Sequence, residues 1–166
     1  VVASCSYAAR KFGIRSAMPM ARAIKLCPEL VIIPSHHRHY SEISQEIFER
    51  LSQITDDIEQ VSIDEAFMDV TNISQPPEKL AKEIQTIVHE EFGLPCSLGV
   101  ATNKLVAKIA TDVGKSAHHA DSPPNAITIV KPGEEAAFLD PLPAEILWGV
   151  GPKTAQKLEE MGIYSI

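Results

Sequence analysis

Two adjacent carboxylates interrupt a run of strand-forming residues, Val61-Ser62-Ile63-Asp64-Glu65-Ala66-Phe67-Met68-Asp69-Val70. Charge buried in a strand is costly unless it is paired, hydrogen-bonded or bound to metal. Residues 58 to 64 and 66 to 70 are therefore expected as two strands folded back at Asp64-Glu65. In a regular pleat the two side chains would point to opposite faces, so only a bend lets them share a site. Hard oxygen ligands at such a bend suit Mg²⁺, which keeps waters and takes one or two carboxylates plus substrate phosphates. A solvated hairpin tip would carry the same residues without any metal, and the residues alone leave both readings open.

The segments around this hairpin follow from periodicity and punctuation. A helix is expected from Pro19 to Leu26, then a short buried strand over residues 30 to 33, ended by Pro34. Tyr40, Ile43, Ile47 and Leu51 recur at helical spacing, with Ser35 or Ser41 near the start as a cap. Pro77 opens a further helix along Leu80, Ile84, Ile87, Val88 and Phe92, which Gly93 stops. Residues 96 to 101 are strand-like. Asn103 caps a helix carrying Leu105, Val106, Ile109, Ala110 and Val113 up to Gly114, and residues 126 to 130 form a last strand. This order predicts an α+β fold with a split βαβ, ferredoxin-like sheet and helices on one face. Lys131-Pro132-Gly133 marks a turn and a boundary before a small helical segment.

Charge is distributed unevenly. The 166 residues carry a formal net charge of -7, which taken whole speaks against a polyanion partner. Residues 1 to 40, however, hold six basic residues against Glu29 alone, +5, while the remainder carries -12. A basic head on an acidic body points to a polyanion contact at one end. At 45% hydrophobic the chain is too apolar for disorder, and no run approaches the roughly 18 apolar residues of a membrane helix. Three dispersed cysteines, Cys5, Cys27 and Cys96, argue against a disulfide framework, so a reduced, cytoplasmic setting is expected. Both ends read as cut from a longer chain.

Three more segments carry candidate chemistry. Ser4, Tyr7 and Arg10 crowd hydroxyls and a guanidinium ahead of Gly13, groups suited to phosphate oxygens. Lys115 lies just past the expected helix end, where it can act as a point charge toward a triphosphate or simply decorate a helix terminus. Gly149-Val150-Gly151-Pro152-Lys153-Thr154 is a Gly-x-Gly turn entering a helix, whose backbone N–H groups can hold a phosphate. His36, His37 and His39, and His118-His119, lack the spacing of a zinc site and read as solvated loop histidines. Asp69 reads as capping or solvating a strand end, and Cys96 as a small hydrophobe.

Taken in order, four segments resemble the Y-family, DinB-like translesion DNA polymerases: Ser-Tyr-Ala-Ala-Arg-Lys-Phe-Gly-Ile-Arg-Ser-Ala-Met-Pro from Ser6, Ser-Ile-Asp-Glu-Ala-Phe-Met-Asp-Val-Thr from Ser62, Gly-Val-Ala-Thr-Asn-Lys from Gly99 and Trp-Gly-Val-Gly-Pro-Lys-Thr from Trp148. The resemblance implies fingers over 1–35, palm over 36–130 and the start of the thumb, with a helix-hairpin-helix, over 131–166. It implies template-directed synthesis past damaged bases by two-metal nucleotidyl transfer. Asp64 and Glu65 would be catalytic and hold two Mg²⁺ ions, Glu65 supporting the site where the primer 3′-hydroxyl loses its proton. Ser4, Tyr7, Arg10 and Lys115 would bind the deoxynucleoside triphosphate, and Gly149, Gly151, Lys153 and Thr154 the backbone of primer–template DNA. A sliding clamp is an expected partner of the full-length protein.

The family's first metal-binding aspartate, on a strand upstream of Val1, has no counterpart here. The resemblance therefore implies that residues 1–166 do not polymerise, and that a gap in the sheet leaves an exposed edge through which copies can self-associate. Two alternatives remain open: a non-catalytic DNA-binding or scaffold relative, and a nucleotide cyclase with a similar palm. The basic head and the Gly149 to Lys153 turn argue against the cyclase.

Overall fold

The computed structural model describes residues 1–117 and 123–166. At the amino end, α1 (Tyr7–Lys11) is capped by Ser6, whose hydroxyl accepts from the Ala9 N–H. This helix is absent from the periodicity reading, because five residues are too few to show a period; its one signal is the capping serine. The expected helix begins one residue later than predicted, as α2 (Met20–Leu26), with Pro19 preceding it. Val2, Ala9, Ile14 and Ala23 bury a small core between them. The strand expected over residues 30 to 33 does not form. Val31 and Ile33 are 82% and 74% exposed. The segment lies between Pro28 and Pro34, and no described strand offers it a ladder to join.

The body holds the long helices. In α3 (His37–Leu51) neither Ser35 nor Ser41 caps the start; the Ser41 hydroxyl instead donates to the His37 carbonyl, 3.0 Å away. Helix α4 (Pro77–Phe92) opens on Pro77 and ends at Gly93 with φ +66°, a left-handed turn that favours glycine. Leu51, Leu80 and Ile84 form the second core, joined by Ile47, Phe48, Ile58, Met68 and Leu98.

The strands are shorter than predicted and fall into two sheets. Strands β1 (Ile58–Gln60) and β2 (Ala66–Met68) pair antiparallel, Glu59 opposite Phe67. Strands β3 (Leu98–Val100) and β4 (Ile127–Ile129) pair parallel, Gly99 opposite Thr128. Among the described residues nothing joins β2 to β3, so the α+β class stands while the expected sheet is divided into two halves.

Helix α5 (Lys104–Ser116) lies against β3 and β4. Asn103 caps it as expected, accepting from the Val106 N–H at 3.0 Å. The approach is close because β3 carries glycine. A Cβ on Gly99 would overlap the Ala107 carbonyl oxygen and stand 2.6 Å from the Thr111 nitrogen. Gly114, predicted to end the helix, lies inside it, and a Cβ there would run into the Thr128 hydroxyl. Its smallness serves packing instead of termination. Beyond β4, α6 (Glu135–Leu139) sets Phe138 and Leu139 against Val106, Ala110 and Val130, and α7 (Pro152–Glu160) follows a short 3₁₀ turn at Ala144–Ile146.

The glycine at the helix–sheet contact yields a stability prediction. Gly99→Ala forces backbone apart and should cost about 1–3 kcal/mol in urea denaturation. Gly151→Ala, with nothing within 4 Å of its added Cβ, should be near neutral by the same measurement.

Candidate active site

The Asp64-Glu65 pair lies on a turn, which removes the opposite-face objection. β1 ends at Gln60 and β2 begins at Ala66. Between them the Val61 and Ser62 N–H groups both donate to the Glu65 carbonyl, at 2.9 and 3.1 Å. The Ser62 hydroxyl donates to the Asp64 carboxylate at 2.6 Å and accepts from the Asp64 N–H at 3.3 Å. The serine thus fixes the rotamer of the aspartate on the exposed side of the turn.

A cleft of about 650 Å³ separates the two half-sheets. Ala66, Phe67 and Met68 of β2 line it together with Leu98, Gly99 and Val100 of β3, over side chains of the second core. Leu98 N–H donates to Ala126 and Val100 carbonyl accepts from Val130, so these residues spend their groups on β4 and Gly99 turns its own toward the cleft. Asp64, Glu65, Lys108, Lys115 and Trp148 also line it, which brings carboxylates and ammonium groups to one apolar cavity. Helix α5 supplies both lysines. Lys115, predicted to follow the helix, lies within its last turn.

Two lysines one turn apart on α5 reach across to the hairpin. Lys104 pairs with Glu59 and stands over the Phe67 ring at 5.8 Å. Lys108 donates to Glu65 at 2.5 Å and lies 3.7 Å from Asp112. Burial works against the Lys108 charge, but the hydrogen bond to Glu65 and the charges of Asp112 and Glu65 outweigh it and hold the ammonium above its usual range. Neither lysine is among the residues picked out from sequence. Their spacing, four residues apart ahead of an apolar helix face, is the signal that was available.

Of the other sequence candidates, Ser4, Tyr7 and Arg10 stay in the basic head, outside the cleft lining. The Arg10 guanidinium lies over the Tyr7 ring, 4.8 Å from its centre, so these two form one unit on α1. Gly149 has φ +91°, and Gly151 occupies the capping position of α7 with Pro152 at its first turn. Lys153 and Thr154 are exposed on that turn. Trp148, beside them, is 61% exposed and meets Phe67 of the hairpin at 6.3 Å. Asp69 accepts from the Thr71 N–H at 2.9 Å, and hydrogen bonds from Thr71 hold its carboxyl below the ordinary range. His36, His37 and His39 are exposed, and His118-His119 lie outside the described residues.

The donor chemistry at the turn fits Mg²⁺ in part. Asp64 and Glu65 offer hard oxygens on consecutive residues of the turn, the donor type for an ion that retains water and takes phosphate oxygens as well. Among the described residues no group of three or more metal-ligating side chains is assembled.

The cleft also sets the behaviour of Cys96. Burial pushes its thiol up, with the Lys115 charge pulling the other way. Iodoacetamide alkylation of Cys96, followed by mass spectrometry, should show a pH midpoint above that of an ordinary exposed cysteine, reverting to it in urea. An ordinary midpoint in the folded chain would contradict the assigned burial.

Comparison with known proteins places this geometry. Residues 1–112 match the model of the impB/mucB/samB family, and residues 132–163 match the IMS family HHH motif. DNA polymerase IV of Listeria monocytogenes is 46% identical over 98% of this chain, and that of Desulfatibacillum aliphaticivorans 44% identical over all of it. The chain spans 44% and 41% of their lengths. Among solved structures, an insertion ternary complex of Dbh DNA polymerase superposes with a TM-score of 0.86 at 34% identity, covering 96% of this chain and 45% of that one. DinB from Sulfolobus solfataricus gives 0.84 at 32%, covering 96% and 46%. With a matching family model over two thirds of its length and a fold shared with DinB-like enzymes, the chain belongs to the impB/mucB/samB family of Y-family DNA polymerases.

Proposed function

We propose that this chain forms the fingers (1–35), palm (36–130) and first part of the thumb (131–166) of a translesion DNA polymerase. The observation that carries the reading is the meeting, in one cleft, of a carboxylate pair on a tight turn with Lys115 of α5. Asp64 and Glu65 would hold Mg²⁺, two ions in the full-length enzyme. The metal would supply charge stabilisation to the attacking and leaving oxygens of in-line nucleotidyl transfer. Asp64 is pre-set for this by its bond from Ser62, and Glu65 would support the site where a primer 3′-hydroxyl gives up its proton. Lys115 places a point charge toward the triphosphate. Ser4, Tyr7 and Arg10 would complete the nucleotide contact from the fingers, which requires the basic head to approach the cleft with substrate bound.

The thumb contributes sequence-independent grip. Gly149 and Gly151 leave the backbone at the start of α7 open to a DNA phosphate, with Lys153 and Thr154 adding side-chain donors. Primer–template DNA and deoxynucleoside triphosphates are the proposed substrates, a sliding clamp a partner of the full-length protein, and the cytoplasm its setting. No described helix is long and apolar enough to cross a membrane.

Residues 1–166 are expected to fall short of catalysis, because among the described residues no third metal-ligating carboxylate joins Asp64 and Glu65. A primer-extension assay with Mg²⁺ and all four deoxynucleotides should give no extension; robust extension would refute this. Nucleotide binding separates the enzyme reading from a scaffold that kept only the fold. Binding of a deoxynucleoside triphosphate, followed calorimetrically, should depend on Mg²⁺ and weaken about tenfold or more in Asp64→Ala. Metal-independent binding, unchanged in that variant, would favour the scaffold.

Among the described residues one edge of β2 and one edge of β3 pair with no strand, which supports self-association of this chain. Sedimentation velocity should show a concentration-dependent shift to larger species. A single monomeric boundary across the micromolar range would count against it.

A further inference from the structure

The Lys108 ammonium occupies the carboxylate that the proposed function assigns to a cation. Its side chain is only 20% exposed, its Nζ lies 2.5 Å from Glu65 Oε1, and a second acceptor, Asp112, stands one helical turn away at 3.7 Å. The neighbouring Lys104–Glu59 pair is built differently: both side chains are 59% exposed, and Glu59 lies in β1, away from the turn. An exposed pair of that kind contributes little and perturbs little. The Lys108 pair, by contrast, is partly shielded and uses lone pairs that a divalent ion would also need.

We propose that Lys108 is a resident counter-cation of the Asp64-Glu65 pair, holding Glu65 toward α5 in the metal-free chain and moving to Asp112 when a divalent cation takes the carboxylates. This rests on the reading of Asp64 and Glu65 as the cation site. Lys108 is a positioning residue: it acts through Glu65 and touches neither metal nor substrate. The two acceptors explain how the exchange proceeds without stranding a charge, since the displaced ammonium keeps a carboxylate partner on its own helix. The device keeps two adjacent carboxylates from repelling each other in the metal-free chain, and sets the cation concentration at which the site fills.

The test is a Mn²⁺ titration of the intact 166-residue chain, reading free Mn²⁺ by electron paramagnetic resonance. Lys108→Met should bind Mn²⁺ about tenfold tighter than the parent. Lys108→Arg, which keeps the charge, should stay within about threefold of it, as should Lys104→Met, which removes an equal charge one turn away. Lys108→Gln repeats the neutral substitution should the methionine variant fold poorly, which circular dichroism reports. Unchanged or weaker binding in the neutral Lys108 variants overturns the proposal, and so does equal tightening in Lys104→Met, which would reduce the effect to general charge. If Asp64→Ala abolishes binding while the neutral Lys108 variants bind like the parent, the cation site stands and the role of Lys108 falls. If no variant binds Mn²⁺ through Asp64, both fall together.

Discussion

The seating of α5 on the β3–β4 pair is the constraint on which the rest depends. Gly99 and Gly114 remove the side chains that would hold helix and strands apart, so Ala107 and Thr111 of α5 come directly against Gly99, and Gly114 against Thr128. Depth matters here because the helix carries the cations of the site. Were α5 lifted off the sheet to accommodate a Cβ, Lys108 and Lys115 would move with it relative to the turn. The packing of a small contact thus sets the electrostatics of the polar one beside it on the helix.

The hairpin meets α5 halfway. Its turn is closed by backbone bonds to the Glu65 carbonyl, and the Ser62 hydroxyl holds Asp64. Carboxylates in a tight turn escape the pleat that would have separated them, at the cost of placing two charges in succession on the chain. Lys108 offsets that cost for Glu65, while Lys104 over Phe67, and Trp148 beside that ring, pin the outer part of the hairpin. Elements from three regions of the chain therefore converge on one short turn.

Much of this was legible from local residues. Pro77 and Gly93 bracket α4 as read, Asn103 caps α5, and the Asp64-Glu65 fold-back lies where a charged pair interrupts an apolar run. Each depends on the chain within a few positions of itself. The errors have the opposite character. Val31 to Ile33 are apolar and β-branched, as a strand requires, yet a strand also requires a partner, and none of the described strands lies beside them. Gly114 has the look of a helix stop, and only the proximity of Thr128 shows why a glycine continues the helix there.

By itself the sequence determined the class of fold, the order of the elements from α3 to β4, the carboxylate turn and the family whose ordered motifs it carries. These follow from periodicity, from capping and turn residues, and from charge placed where charge is costly, all of which act over short stretches of chain. The tertiary structure alone decided that the sheet is divided among the described residues, that a cleft lies between its halves, and that Lys108 reaches Glu65 and Lys115 lines the same cleft while Ser4, Tyr7 and Arg10 lie outside its lining. Those outcomes depend on distances between residues far apart in sequence, such as Glu65 and Lys108, which are 43 positions apart. Local propensity carries no information about such distances; the packing of α5 on its glycine-bearing strand does.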